Sequence, residues 1–215
     1  MCNISTILPN CASIVHEQQN NDRQIRFIPP IRYSNWSISS IARKPDHTNK
    51  AFHGRAELDS HDHTTVAGRN CTVLKHTERS CDVAPFSDTY EPMKDVDNAS
   101  EATGFTSVTG GKYILVFHEA LYMMELDYIL INPNQLRQFH MQVQDSPYYS
   151  TEPMNITNPI GDFTSCLESQ RTYIFLNTWF PTQTDLAAFL HIELTSRQPW
   201  NPHHIEFPST KDHVK

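Results

Sequence analysis

From Ala51 onward the apolar residues come in short runs that alternate with polar ones, each closed within a few positions by glycine, proline or a polar cluster. Arg55-Ala56-Glu57-Leu58-Asp59 is such a run, followed by Thr64 to Gly68, Cys71 to Leu74, and Cys81 to Ala84 before Pro85. Tyr113 to Phe117, Tyr128 to Ile131, Met141 to Gln144, Thr164 to Leu167, Tyr173 to Leu176, Thr178 to Phe180 and His191 to Thr195 continue the pattern. A period of two over a handful of residues puts one face of a strand in a core and the other in water; it is too short for a helix to gain an apolar stripe. Thr109-Gly110-Gly111-Lys112 lies between two β-prone runs and predicts a hairpin. Asn132-Pro133 ahead of Gln135 to Phe139 predicts a cap and one or two helical turns, and Thr184 to Leu190 a second short helix. Glu91 to Ser100, a largely polar stretch, reads as a connection. The expected class is mostly β.

The remaining composition narrows the function classes. The chain has 215 residues, enough for one domain with a ragged extension. No apolar run approaches the roughly 18 residues of a membrane-spanning helix, so no membrane partner is expected. The formal net charge is -7 with the 12 His neutral, which repels phosphate backbones and argues against direct nucleic-acid binding. The 5 Cys, at positions 2, 11, 71, 81 and 166, form no Cys-x-x-Cys pair, which excludes a zinc ribbon and a thioredoxin motif. Wide, odd-numbered cysteines suit reduced thiols. Met1-Cys2-Asn3-Ile4-Ser5 has no basic lead, and Pro9 and Asn10 interrupt its apolar stretch, so no secretory signal is read and a cytoplasmic location is expected. Residues 1–50, with Gln18-Gln19-Asn20-Asn21, Pro29-Pro30 and a serine-rich stretch, read as a flexible leader. Residues 51–140 read as the main domain, and 141–215 as a β-rich extension frayed from Pro208.

Asp59-Ser60 places a carboxylate at the end of an apolar strand with a hydroxyl directly after it. An aspartic peptidase uses two such carboxylates, about 3 Å apart, which share one proton because both cannot ionise together. One acts as base toward water while the other donates to the substrate carbonyl. No cofactor or metal enters this chemistry. The same neighbourhood admits a metal reading: His61 and His63 share a face at period two, Asp59 or Asp62 could complete a shell, and His53, His76 and His118 are further candidates. His203-His204, being adjacent, point to opposite faces of an extended chain. No Gly-x-Ser-x-Gly elbow supports a serine hydrolase, and Gly110-Gly111 lacks the Gly-Lys-Ser/Thr element of a phosphate loop. Tyr173, Phe175, Trp179 and Phe180 read as core.

Glu57-Leu58-Asp59-Ser60-His61 followed by Thr64 to Gly68 resembles the retropepsin-like protease segment of Ty1/copia-type retrotransposon polyproteins. The order of the later pieces fits as well: Ala102-Thr103-Gly104 where that family has its Gly-tipped flap, Ala120-Leu121-Tyr122-Met123, then Leu130-Ile131-Asn132 and Gln135-Leu136 as apolar strand and helix start. The resemblance covers about residues 53 to 140. It implies a small retropepsin-like β-barrel with one short helix, Asp59 and Ser60 as catalytic residues, and Ala102, Thr103 and Gly104 as the substrate-binding flap. It also implies a polyprotein or peptide substrate.

Asp145-Ser146 is followed by Pro147 where a flexible residue is needed, so Asp59-Ser60 stands alone and an active enzyme is expected to be a homodimer with one Asp59 from each copy. His61 and Asp62 stand where the family has Gly and a small residue. An imidazole where two loops meet, and a second carboxylate beside Asp59, are expected to weaken both catalysis and dimerisation, leaving a retropepsin-type endopeptidase or an inactive remnant of one. A non-catalytic β-rich interaction domain, pairing through its strand edges, is the alternative from another class.

Overall fold

The alternating runs become strands, and most of them join one mixed sheet. The computed structural model describes residues 26–28, 53–85, 90–148, 153–160 and 163–205. Its elements are β1 (Arg26–Ile28), β2 (His53–Leu58), β3 (Val66–Ala67), β4 (Thr72–Pro85), β5 (Met93–Thr106), β6 (Lys112–Tyr122), β7 (Ile129–Ile131) and α1 (Pro133–Gln138). They continue with β8 (Gln142–Gln144), β9 (Asn155–Asn158), β10 (Phe163–Cys166), β11 (Glu168–Gln170), β12 (Tyr173–Trp179), α2 (Gln183–Ala188), β13 (Leu190–Glu193) and a 3-10 turn (Pro202–His204). The mostly-β expectation holds. Most of the leader, residues 1–50, and the end from Pro208 lie outside the described residues. Among those described, no helix is long and apolar enough to cross a membrane.

The large sheet runs β1-β4-β5-β12-β2-β7-β3-β6-β13, with β11 on β12. Because β5 also pairs with β6, the hydrogen-bonded pairings β5-β12-β2-β7-β3-β6 return to their starting strand. β8, β9 and β10 make a separate three-stranded sheet. The main apolar cluster joins Ala56, Leu115, Phe117, Ile129, Ile131, Leu136 and Leu176 from β2, β6, β7, α1 and β12 with Ile156 and Phe163 from the small sheet. Each of those large side chains contributes about 1.5–3 kcal/mol by leaving water. Residues beyond 141 therefore share this core and this sheet: β12 lies between β5 and β2, and β13 runs parallel to β6.

Two segments differ from the sequence reading. The runs at Cys71 and Cys81 belong to one long strand, β4, whose pairing with β5 shifts register at three places. Glu91 to Ser100, read as a connection, forms most of the first half of β5. Polar residues hold a strand there because this part of β5 satisfies its backbone from β4, joined by β6 from Asn98 onward, which replaces the apolar alternation as the source of order. The hairpin at Gly110 follows its prediction: Ser107 N–H donates to the Gly111 carbonyl at 2.8 Å, and Gly110 takes φ 84°, a region that favours glycine.

Candidate functional site around Asp59

β2 delivers Asp59 to the edge of β7. The Asp59 amide donates to the Ile131 carbonyl at 2.9 Å, immediately past the parallel pair Leu58 and Ile131. The chain then loops through residues 60–65 and returns as β3, antiparallel to β7 at Val66 and Leu130. β7 thus sits between the strand that enters the loop and the strand that leaves it.

The residues just after β7 pin this loop. Asn132 caps α1, its side-chain oxygen accepting from the amides of Asn134 at 2.8 Å and Gln135 at 3.3 Å. Its amide nitrogen Nδ2 is then free to donate to the Asp62 carbonyl at 2.7 Å. Gln135 accepts from the Thr65 amide at 2.8 Å and the Thr64 hydroxyl at 3.4 Å. Trp200, far along the sequence, donates its indole N–H to the His63 carbonyl at 2.8 Å.

Within this frame the acidic side chains diverge. Asp59 keeps 25% of its side chain exposed, and its Oδ1 accepts from the His61 amide at 2.8 Å. The His61 ring, 84% exposed, leans on the same oxygen with Nδ1 at 3.3 Å. Ser60 is exposed beside them. Asp62 is only 2% exposed, and neither of its carboxylate oxygens finds a hydrogen-bond partner among the described residues. Burial first, then the charge of Asp59, pushes the Asp62 pKa up to about 8. The expected second negative charge beside Asp59 is therefore largely neutralised at neutral pH, because the side chain is taken into the interior, where burial favours the protonated form.

The metal reading needs convergence, and the side chains spread out. Among the described residues no group of three or more His, Cys, Asp or Glu is placed to hold a metal ion. His63 faces the His203 ring at 6.3 Å, His76 lies 3.6 Å from Asp97, and His118 meets the Ser100 hydroxyl at 2.8 Å. His204 lies against the Asn201 amide at 3.3 Å, and the His53 side chain lies outside the described residues.

Ala102, Thr103 and Gly104, expected as a flap, lie within β5. Ala102 and Thr103 are fully buried in β5, with the Thr103 hydroxyl donating to the carbonyls of Asn70 and Trp179, each at 3.2 Å. Gly104 pairs with Trp179 in the sheet. These residues lie in a strand interior rather than at a hairpin tip. β4 ends at Pro85 and β5 begins at Met93; of the residues between them, 86–89 lie outside the described residues.

No family model matches the chain, and no curated protein or solved structure matches it at a significant level.

The site therefore stands on its geometry. It offers one carboxylate per chain, oriented by a backbone amide, in a loop fixed from β7, α1 and the Trp200 segment. Sequence reading placed Asp59 at a strand end and Asn132 as a cap, and both positions hold. It named Gln135 only as part of a helix start and gave no role to Trp200. An internal Gln, Glu or Trp carries no local signature of a partner some 70 or more positions away, as Gln135 is from Thr65 and Trp200 from His63.

Proposed function

We propose that this protein is a retropepsin-type aspartic endopeptidase, assembled as a homodimer in which each copy supplies one Asp59. The observation that carries the reading is the bond from the Asp59 amide to Ile131, with β7 held between the two strands flanking the loop. It brings Leu130-Ile131-Asn132 and the start of α1, two pieces of the sequence resemblance, against the third piece at Asp59. The returning circuit of strand pairings supports the small barrel that the resemblance implies. The long β4–β5 hairpin supports a cover for a peptide, in place of the Ala102–Gly104 segment.

In this reading the two Asp59 carboxylates share a proton: one takes a proton from water as the water attacks the scissile carbonyl, and the other donates to the carbonyl oxygen. The His61 amide holds Oδ1 in place, and Ser60, exposed next to it, is available to the partner loop. The substrate is an extended peptide such as a segment of a polyprotein, and the setting is intracellular. Cleavage of a peptide library by the full chain, lost in Asp59→Asn and insensitive to chelators, is the expected result. Cleavage that survives Asp59→Asn, or a strictly monomeric protein that still cleaves, would overturn the reading.

A further inference from the structure

Glu119 joins parts of the molecule that are far apart in sequence. It lies in β6 with its side chain 3% exposed, and its carboxylate pairs with the Arg79 guanidinium of β4. The same carboxylate accepts from the Asn98 side-chain Nδ2 of β5 at 3.5 Å and from the Trp200 backbone N–H at 3.3 Å. Its main chain faces the other way. The Glu119 carbonyl accepts from the Thr64 hydroxyl at 3.2 Å and from Gln135 Nε2 at 3.3 Å, the two side chains that fix the end of the Asp59 loop. Glu119 also takes φ 57°, a left-handed conformation that a non-glycine residue keeps only when its surroundings enforce it.

These contacts depend on one another. A buried carboxylate is tolerated when it is paired, and Arg79 is the partner that carries the charge. With that pairing the backbone at Glu119 stays in its strained conformation, and the carbonyl stays aimed at Thr64 and Gln135. Trp200 closes the arrangement, donating its backbone N–H to the Glu119 carboxylate and its indole N–H to the His63 carbonyl. We infer that Glu119 is a positioning residue that couples the seating of the β4–β5 hairpin to the loop carrying Asp59. The Arg79 side chain is 42% exposed, so a peptide lying along the hairpin can reach it from solvent and strengthen or loosen the link. The consequence for catalysis rests on the proposed endopeptidase function; the coupling itself does not.

Hydrogen exchange on the full chain, without substrate, tests the coupling. Arg79→Ala is expected to speed exchange of the amides at 59–65 by about tenfold or more, as a local opening does. Lys94→Ala removes an ion pair between the arms of the hairpin, Lys94 to Asp82 at 2.9 Å, which does not touch Glu119. It is expected to leave 59–65 unchanged. If Arg79→Ala does not fold, Arg79→Lys, which keeps the charge but loses the fork, is expected to loosen the same amides while β13 and its β6 partners stay protected. A loop that exchanges as in the parent in the folded Arg79 variant, or that Lys94→Ala loosens equally, would overturn the inference. Absence of peptide cleavage by the parent chain would remove the endopeptidase reading and leave this exchange test untouched.

Discussion

Gly104 lies directly under the indole of Trp179, so close that a Cβ there would come within 2.3 Å of the ring. The two residues are cross-strand partners between β5 and β12, and the same indole donates to the Thr106 hydroxyl at 3.1 Å. A glycine in this strand is therefore a packing requirement. Gly104→Ala should destabilise the fold by about 1–3 kcal/mol, since either the indole or the strand must shift. Denaturant unfolding would show it, and Trp179→Ala in the same chain should remove most of the added cost.

The buried carboxyl of Asp62 makes stability depend on pH. Its folded pKa, about 8, lies above the ordinary 3.8. The folded protein keeps a proton that the unfolded chain gives up, so this contribution is fully present below the lower value and is lost as pH rises toward the higher. Asp62→Asn should match the parent near about pH 4 and exceed it near about pH 8, the gap widening by up to about 1.4 kcal/mol per pH unit. Glu101, fully buried with both carboxylate oxygens unbonded among the described residues, is also pushed upward by burial and leaves the variant a slope of the same sign. Unfolding curves across that range check both statements.

Asn132 serves the helix and the loop at once. Asn132→Ala removes the cap of α1, worth about 1 kcal/mol, and also the bond to the Asp62 carbonyl. Asn132→Asp keeps the cap acceptor and loses only the donor. The alanine variant should be the less stable in denaturant, while both should show faster amide exchange at 59–65.

His61 is the residue whose replacement should help the proposed dimer. Its exposed ring leans on Asp59, while the orienting bond to Oδ1 comes from its backbone N–H and survives in glycine. His61→Gly should tighten self-association and raise peptide cleavage. Adding Asp62→Ala should bring no further gain in association at neutral pH, because Asp62 is interior and protonated there. Sedimentation of the single and double variants decides it: no change with His61→Gly would remove this role for the ring.

Short alternating runs bounded by Gly, Pro and Asn were enough to determine strands at Arg55 to Leu58, Tyr113 to Phe117 and Tyr173 to Leu176, the turn at Gly110, and the capped helix after Asn132. In each, the information is local: a period of two, a residue suited to positive φ, a side chain that bonds its own following amides. Asp59 at a strand end was legible for the same reason. Only the tertiary structure decided that Met93 to Ser100 is strand, since its order comes from pairing with β4, and from Asn98 with β6 as well, rather than from its own pattern. The fates of Asp59 and Asp62 were decided there too. They are three positions apart and chemically alike, yet one faces water and the other is enclosed, because Ile131, Asn132 and Gln135 fix the path of the loop between them from across the sheet.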